Sequence, residues 1–421
     1  IVSVFSGTPA DGHGQHQVSG ILARQAFDRL RDSAGGPVKL YRSTNFDTAA
    51  TTLAIPTGML DPVLGQSYYQ IAAAGRSRHR SQDFGTLQRL GPASTRLSLI
   101  ASRVGSSAEL FSGVDTVWHG HEQFRALIDS ARAALNPFAP ARIAPLLARA
   151  LATLGPDDNE QRVILEQALA QASGVIVDGI ADDGIVTSGQ RVQVEVSVWN
   201  TSGEPVPIEA VDLVTPDGWQ TERIEPQGNV ASPNSLLVRR FGVTVAPDAP
   251  RSQAYFLRRP LRGALYDWSG VPAQVRGLPF EPPPLVARVH CSIAGASVTL
   301  TREIVYRYRD QAVGEIRRPI VVTQPFDVAV TPALIVWPVD GATGTTRGVT
   351  VMVTNRSRGA VQALARLSVP PGWAPVAAES LAFAREDETR SVTFTVRLPA
   401  RPSPGTVTLK ATATGDGGVS D

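Results

Sequence analysis

Cysteine occurs once in the 421 residues, at Cys291. An intrachain disulfide is therefore excluded, and so is a zinc site built on several thiolates. Any metal must be held by histidine and carboxylate. Lysine is almost as scarce: Lys39 and Lys410 are the only two among 40 basic residues. Acidic residues number 38, which leaves a net charge of +2 with both signs interspersed. Nucleic-acid surfaces show clustered basic residues, so no nucleic-acid partner is expected. No apolar run reaches the roughly 20 residues that a membrane-spanning helix requires. With 43% hydrophobic and 19% charged residues, the composition is that of a globular chain long enough for two or three domains.

The chain opens on Ile1-Val2-Ser3-Val4-Phe5-Ser6-Gly7, with neither a Met nor a basic leader. β-Branched and aromatic, this stretch reads as a buried strand ending at Gly7. One strand cannot form a sheet alone, so the expectation is a chain that begins partway through a domain. From there to residue 120 helical and extended patterns alternate. A helix is predicted from about His16 to Ser33, with Val18, Ile21, Leu22, Ala26 and Leu30 on one face. Strands are predicted at Val38–Tyr41, Thr51–Ile55 and Arg96–Ser102, and a helix at Tyr68–His79. Such alternation predicts a layered α/β, Rossmann-like domain with a largely parallel sheet. Residues 121–174, rich in Ala and Leu, read as a helical segment: Phe124–Leu135, Ile143–Leu154 and Gln161–Ala172.

Beyond Gly174 the period changes to two, as in Val192-Gln193-Val194-Glu195-Val196-Ser197-Val198. Two β-sandwiches are predicted, at 175–325 and 326–421, so the chain is expected to be multidomain. An internal repeat links them. In each copy an alternating strand ends at an asparagine, Asn200 or Asn355. A polar turn and a second strand follow, and then Pro-x-Gly-Trp ending at Trp219 or Trp373. Gly218 and Gly372 suit a turn that needs positive φ. The two tryptophans are expected to bury against the sandwich cores, with sugar stacking as the alternative. The glycosylation patterns Asn200-Thr201-Ser202 and Asn355-Arg356-Ser357 read better as turns. This pair resembles the Ig-like family found beside carbohydrate-binding modules in bacterial α-galactosidases, over most of Phe326–Pro399 and more loosely over Gly184–Pro250.

Of six histidines, His13 and His16 stand out. They lie in Asp11-Gly12-His13-Gly14-Gln15-His16, directly after the opening strand and at the head of a helix. In open α/β sheets ligands bind beyond the carboxyl ends of strands, and imidazole serves both as a neutral metal ligand and as an acid or base. A glycine-rich surface loop with incidental histidines is the plainer alternative. His119-Gly120-His121 reads as a loop and cap, and His290 as a structural strand residue. Pro156-Asp157-Asp158-Asn159-Glu160 reads as a helix amino-terminal cap, and Asp182-Asp183-Gly184 as a turn.

The stretch His13-Gly14-Gln15-His16, together with Gly65-Gln66-Ser67-Tyr68 and His79-Arg80-Ser81-Gln82, resembles the PIG-L/LmbE family of zinc-dependent de-N-acetylases. The likeness covers residues 1–120 and points to a long bacterial form with Ig-like β domains at its carboxyl end. It departs from the usual pattern in having Gly14-Gln15 where Pro-Asp is common. The resemblance implies His16 as a metal ligand and His13 as the histidine that stabilises or protonates the tetrahedral intermediate. It places His79 near the site, with helix packing as its other role. Asp11 could orient His13 or serve only as a turn residue. Zinc would activate water against the acetamide of an N-acetylated amino sugar or glycoconjugate. The family's His-Pro-Asp-Asp-Glu motif, which supplies the other His and Asp ligands and the base, is absent from this sequence and is expected upstream of Ile1. The chain alone is then expected to bind zinc weakly and hydrolyse little. The competing expectation is a non-catalytic, carbohydrate-associated surface protein with a degenerate deacetylase remnant. By analogy with Ig-like modules, an extracytoplasmic setting is expected in either case.

Overall fold

A computed structural model describes residues 1–33, 35–44, 48–105, 109–115, 117–224, 228–337, 345–399, 404–415 and 418–421. The side chain of Gln82 lies outside the described part. The chain divides into two compact units, Ile1–Gly120 and His121–Asp421. It is multidomain and mostly β. No helix among the described residues is long and apolar enough to cross a membrane.

The first unit begins with β1 (Val2–Ser3), a 3-10 turn at Pro9–Asp11 and α1 (Gly14–Leu30). Then come β2 (Lys39–Ser43), β3 (Leu53–Pro56), a small hairpin of β4 (Leu60–Asp61) and β5 (Gln66–Ser67), α2 (Tyr68–Arg76) and β6 (Ser94–Ser102). The sheet order is β1-β2-β6-β3. β1 and β2 pair in parallel, with Val2 opposite Tyr41; β6 pairs antiparallel with both β2 and β3, so β1, β2 and β3 share one direction and β6 opposes them. Of the parallel ladders expected for a Rossmann-like sheet, only the one between β1 and β2 forms; the two that β6 makes are antiparallel. The reason is the place of β6: it enters between β2 and β3, which share one direction, and runs against both.

Two further expectations fail here. The opening strand is not buried: it pairs only two residues, at the sheet edge, and Ile1, Val2 and Val4 are exposed. On α1, Val18, Ile21, Leu22 and Leu30 are exposed as well, while Gly20 and Phe27 are buried. The reason is a backbone crossing. A Cβ built on Gly20 would fall inside the backbone of Gly7, and one on Gly7 would meet Ile21 N at 2.9 Å. The two glycines let the loop after β1 press onto α1, and that contact sets which face turns inward. Among the described residues of this unit, Phe27, Leu40, Tyr41, Ala73 and Leu97 are the buried apolar side chains.

The second unit opens with α3 (Glu122–Ala134), α4 (Ala144–Leu151) and α5 (Asn159–Ala172). Leu147, Leu151, Leu165 and Leu169 are buried, and α5 packs on the strands that follow. The first sandwich contains β7 (Val175–Ala181), β8 (Ile185–Thr187), β9 (Arg191–Asn200), β10 (Val206–Val214), β11 (Gln220–Arg223), β12 (Val230–Ala231), β13 (Ser235–Thr244), β14 (Val286–Ile293), β15 (Ala296–Glu303), β16 (Val305–Asp310), β17 (Gly314–Pro319) and β18 (Val321–Thr323). One sheet has the order β12-β10-β14-β15 and the other β11-β13-β9-β7-β16-β17. On β9 the alternation is realised residue by residue: Val192, Val194, Val196 and Val198 are buried between their outward-facing neighbours.

The second sandwich follows with β19 (Phe326–Thr331), β20 (Thr346–Asn355), β21 (Val361–Ser368), β22 (Glu379–Phe383), β23 (Thr389–Arg397), β24 (Lys410–Gly415) and β25 (Gly418–Ser420). Its sheets are β19-β20-β23 and β22-β21-β24-β25, closing on Phe326, Val351, Phe383 and Phe394. The repeat is structural as well as sequential. Asn200 and Asn355 are both fully buried at strand ends. Asn200 donates to the carbonyls of Glu204 and Ala231 at 2.8 and 2.9 Å. Asn355 donates to those of Gly359 and Arg385 at 3.1 and 3.0 Å. Each accepts from the serine two residues on. These amides are spent inside turns, as expected for turns and not for glycosylation acceptors. Gly218 and Gly372 both have positive φ, and each following tryptophan N–H donates back to the proline carbonyl three residues earlier.

Candidate functional site

Asp11, His13 and His16 gather between the end of β1 and the head of α1. The Asp11 carboxylate accepts from the backbone N–H groups of Ser6, Gly7 and Thr8 at 2.9, 2.7 and 3.1 Å, and from the Ser6 hydroxyl at 3.0 Å. Burial works against its charge, but these hydrogen bonds prevail and hold the carboxyl below the usual aspartate range. Asp11 therefore ties the loop together and does not reach His13. The orienting contact falls on His16 instead: its Nδ1 lies 3.0 Å from the Asp11 carbonyl oxygen. A carbonyl only accepts, so Nδ1 carries a proton; in the neutral imidazole that leaves the lone pair on Nε2. The ring stacks on Phe5 at 4.0 Å and 15°, which fixes its plane.

His13 is the residue immediately before α1 and is exposed. Its ring sits 3.8 Å from that of His16, tilted by 36°. The helix amino terminus beside it carries partial positive charge from unpaired N–H groups, which favours an anion or a developing oxyanion there. Phe5 escaped the sequence reading as a site residue. Its signal was its place as the last aromatic before a glycine-rich loop.

His79 is not brought to this pair by any contact among the described residues. It precedes the 3-10 turn Arg80–Gln82, is exposed, and meets Phe84 edge-on at 6.5 Å. His119 pairs with Asp115 at 2.9 Å and is exposed. His121 lies 3.2 Å from Asp158. Asp158 does precede α5, but its carboxylate accepts from Gly155 N–H at 2.7 Å and not from the first helical turn. Asp183 accepts from Ile185 N–H at 3.1 Å in a turn before β8, as expected. His290 reaches Thr299 at 3.1 Å across the sheet, consistent with a structural place. Burial, with Glu209 and Glu166 nearby, pushes the Cys291 thiol up to about 12 and leaves it unreactive. Trp219 is buried as expected, whereas Trp373 is half-buried and edge-on to Trp337 at 5.9 Å.

Among the described residues no group of three or more His, Cys, Asp or Glu side chains could hold a metal ion. Catalytic zinc sites use three protein ligands; His16 has one nitrogen in the required state and His13 stacks on it without converging. These residues alone do not fit zinc.

No protein-family model matches the sequence, and no curated protein matches it. Solved structures similar to part of it include the secreted serine protease VesC from Vibrio cholerae, at 8% identity and TM-score 0.22, covering 61% of this chain and 54% of that one. A DUF4785 family protein from Legionella pneumophila follows at 13% identity and TM-score 0.20, covering 57% and 53%. Red sea bream transglutaminase matches at 10% identity and TM-score 0.23, covering 62% and 32%. The chain thus spans about half the length of the first two and a third of the last. At these TM-scores the likeness transfers neither fold nor activity.

Proposed function

We propose that this chain carries one part of the active site of a zinc-dependent deacetylase similar to the PIG-L/LmbE family. It would release acetate from an N-acetylated amino sugar or glycoconjugate, in an extracytoplasmic setting. The observation that carries the proposal is His16: Nδ1 is engaged by a backbone carbonyl and Nε2 has no partner among the described residues, which is how a metal-binding histidine is oriented. His13, exposed at the helix head, is the candidate for contacting the oxyanion and handing a proton to the leaving amine. Asp11 supports both by holding the loop. The remaining His and Asp ligands must come from a segment outside these residues.

Imidazole 15N NMR with a zinc titration tests this. We expect His16 to be protonated on Nδ1 and to respond to zinc at Nε2, with weak, non-stoichiometric binding that His16→Ala removes. Tight stoichiometric binding would overturn the incompleteness of the site. Zinc binding that survives His16→Ala would overturn the assignment of His16.

A second reading, a non-catalytic Ig-like surface protein with a deacetylase remnant, is favoured by one observation. No three-ligand group exists among the described residues. Acetate release from N-acetylglucosamine conjugates by the full gene product with zinc separates the two.

A further inference from the structure

Between β13 and β14 the chain leaves the first sandwich and runs through residues 245–285 with one short 3-10 turn, Tyr255–Leu257. Loops of that length inside a compact unit are uncommon unless they bind something. This one has its own small core. Tyr255 is buried with Val271 and Val275. Its hydroxyl donates to the Leu278 carbonyl at 3.0 Å and accepts from Gly277 N–H at 2.9 Å. Phe256 and Trp268 meet the Tyr255 ring edge-on at 5.2 and 6.0 Å, and Tyr266 closes on Phe256 at 5.2 Å. The loop is braced, so what it exposes is exposed by construction.

Leu261, Leu265, Tyr266 and Phe280 are all more than half exposed, Leu265 at 72% and Phe280 at 83%. Leu261 and Leu265 stand on a tight turn closed by backbone pairing of Arg262 with Leu265. Interleaved with them are Arg258, Arg259, Arg262 and Arg276, against only Asp267 and Glu281 between residues 257 and 281. That excess of two positive charges in one loop equals the net charge of the whole chain.

We propose that this loop docks on an anionic lipid surface. Exposed leucines on a tight turn need hydrocarbon to receive them, and a sugar ring offers only a flat C–H face to an aromatic. Tyr266 and Trp268, each apolar with one polar end, belong at headgroup depth. Arginine forks match phosphate oxygens, and a negative surface attracts each nearby basic residue. Because Tyr255 already orders the loop, little conformational entropy is lost on contact. The inference stands independently of the deacetylase reading.

Co-sedimentation of the full chain with vesicles tests it. Binding is expected to vesicles of phosphatidylglycerol and phosphatidylethanolamine, and to be far weaker with phosphatidylcholine alone. Leu265→Asp should reduce binding by roughly tenfold or more, since it removes a buried leucine from the docked state. Arg259→Gln should reduce binding to the anionic vesicles by about fivefold and leave phosphatidylcholine unaffected. Leu265 is exposed, so the thermal midpoint of Leu265→Asp should match that of the parent chain. Failure to sediment with anionic vesicles would overturn the proposal. So would Leu265→Asp binding as well as the parent, or retention on an acidic polysaccharide or a protein but not on vesicles.

Discussion

At the scale of single residues, the crossing of Gly7 and Gly20 controls the candidate site. The Asp11 hydrogen bonds hold Ser6, Gly7 and Thr8 in place, and the Gly7–Gly20 contact presses that loop onto α1. Gly20→Ala should destabilise the first unit by about 1–3 kcal/mol through overpacking, despite alanine's better helix propensity. A lowered thermal midpoint, with loss of the His16 Nδ1 proton signal, checks this. An unchanged midpoint would mean the two backbones can part freely. None of this was legible in the sequence. The two glycines are thirteen positions apart, and nothing local marks them as partners. By contrast, the histidine pair at a strand-to-helix junction was legible, because the strand end, the glycine-rich loop and the helix head are consecutive. Which atom of Asp11 meets which histidine was not, since that depends on the path of the loop.

At the scale of elements, the repeated asparagine turns give a graded test. Asn200 donates to the carbonyl of Ala231, which is buried, whereas the acceptors of Asn355 belong to exposed Gly359 and Arg385. Removing a donor from a buried carbonyl carries its full desolvation penalty, while an exposed carbonyl finds water. Asn200→Ala should therefore cost about 2–3 kcal/mol and Asn355→Ala about 1 kcal/mol. Urea unfolding of the two variants measures both, and equal losses would contradict the argument. The strands that carry these turns were readable from period-two alternation, because each buries one face. The helices were readable too, within a few residues. For α1 the face was not: its exposed Val18, Ile21 and Leu22 obey helical periodicity, but periodicity shows only that a stripe exists, not what covers it.

At the scale of the molecule, the helical segment is joined to the first sandwich through Glu166. This side chain is buried on α5, which packs on β15, and the backbone N–H of Thr299 on that strand favours its charged form. Burial raises its pKa above the usual glutamate value, only partly offset by Thr299, Arg162 and His290. A raised folded-state pKa means the folded protein holds the proton more tightly than the unfolded chain. Ionisation then opposes folding as pH rises through and above that window. Glu166→Gln keeps the side chain's size and an oxygen facing Thr299 and removes the charge. Its thermal midpoint should exceed the parent's at neutral pH, and the gap should close as pH falls toward 4.5, the ordinary value. A gap that stays constant with pH would sink the argument.

What the sequence by itself determined follows from local rules. Scarce cysteine excluded disulfides, the change of period at Gly174 marked the turn to β-sandwiches, and the Pro-x-Gly-Trp repeat foretold two matching turns. Each of these depends on neighbours along the chain. Sheet order, the burial of α1 and the partners of Asp11 were decided only in three dimensions. They depend on which distant backbones can approach one another, as at Gly7 and Gly20, and on which strand fills the place between β2 and β3.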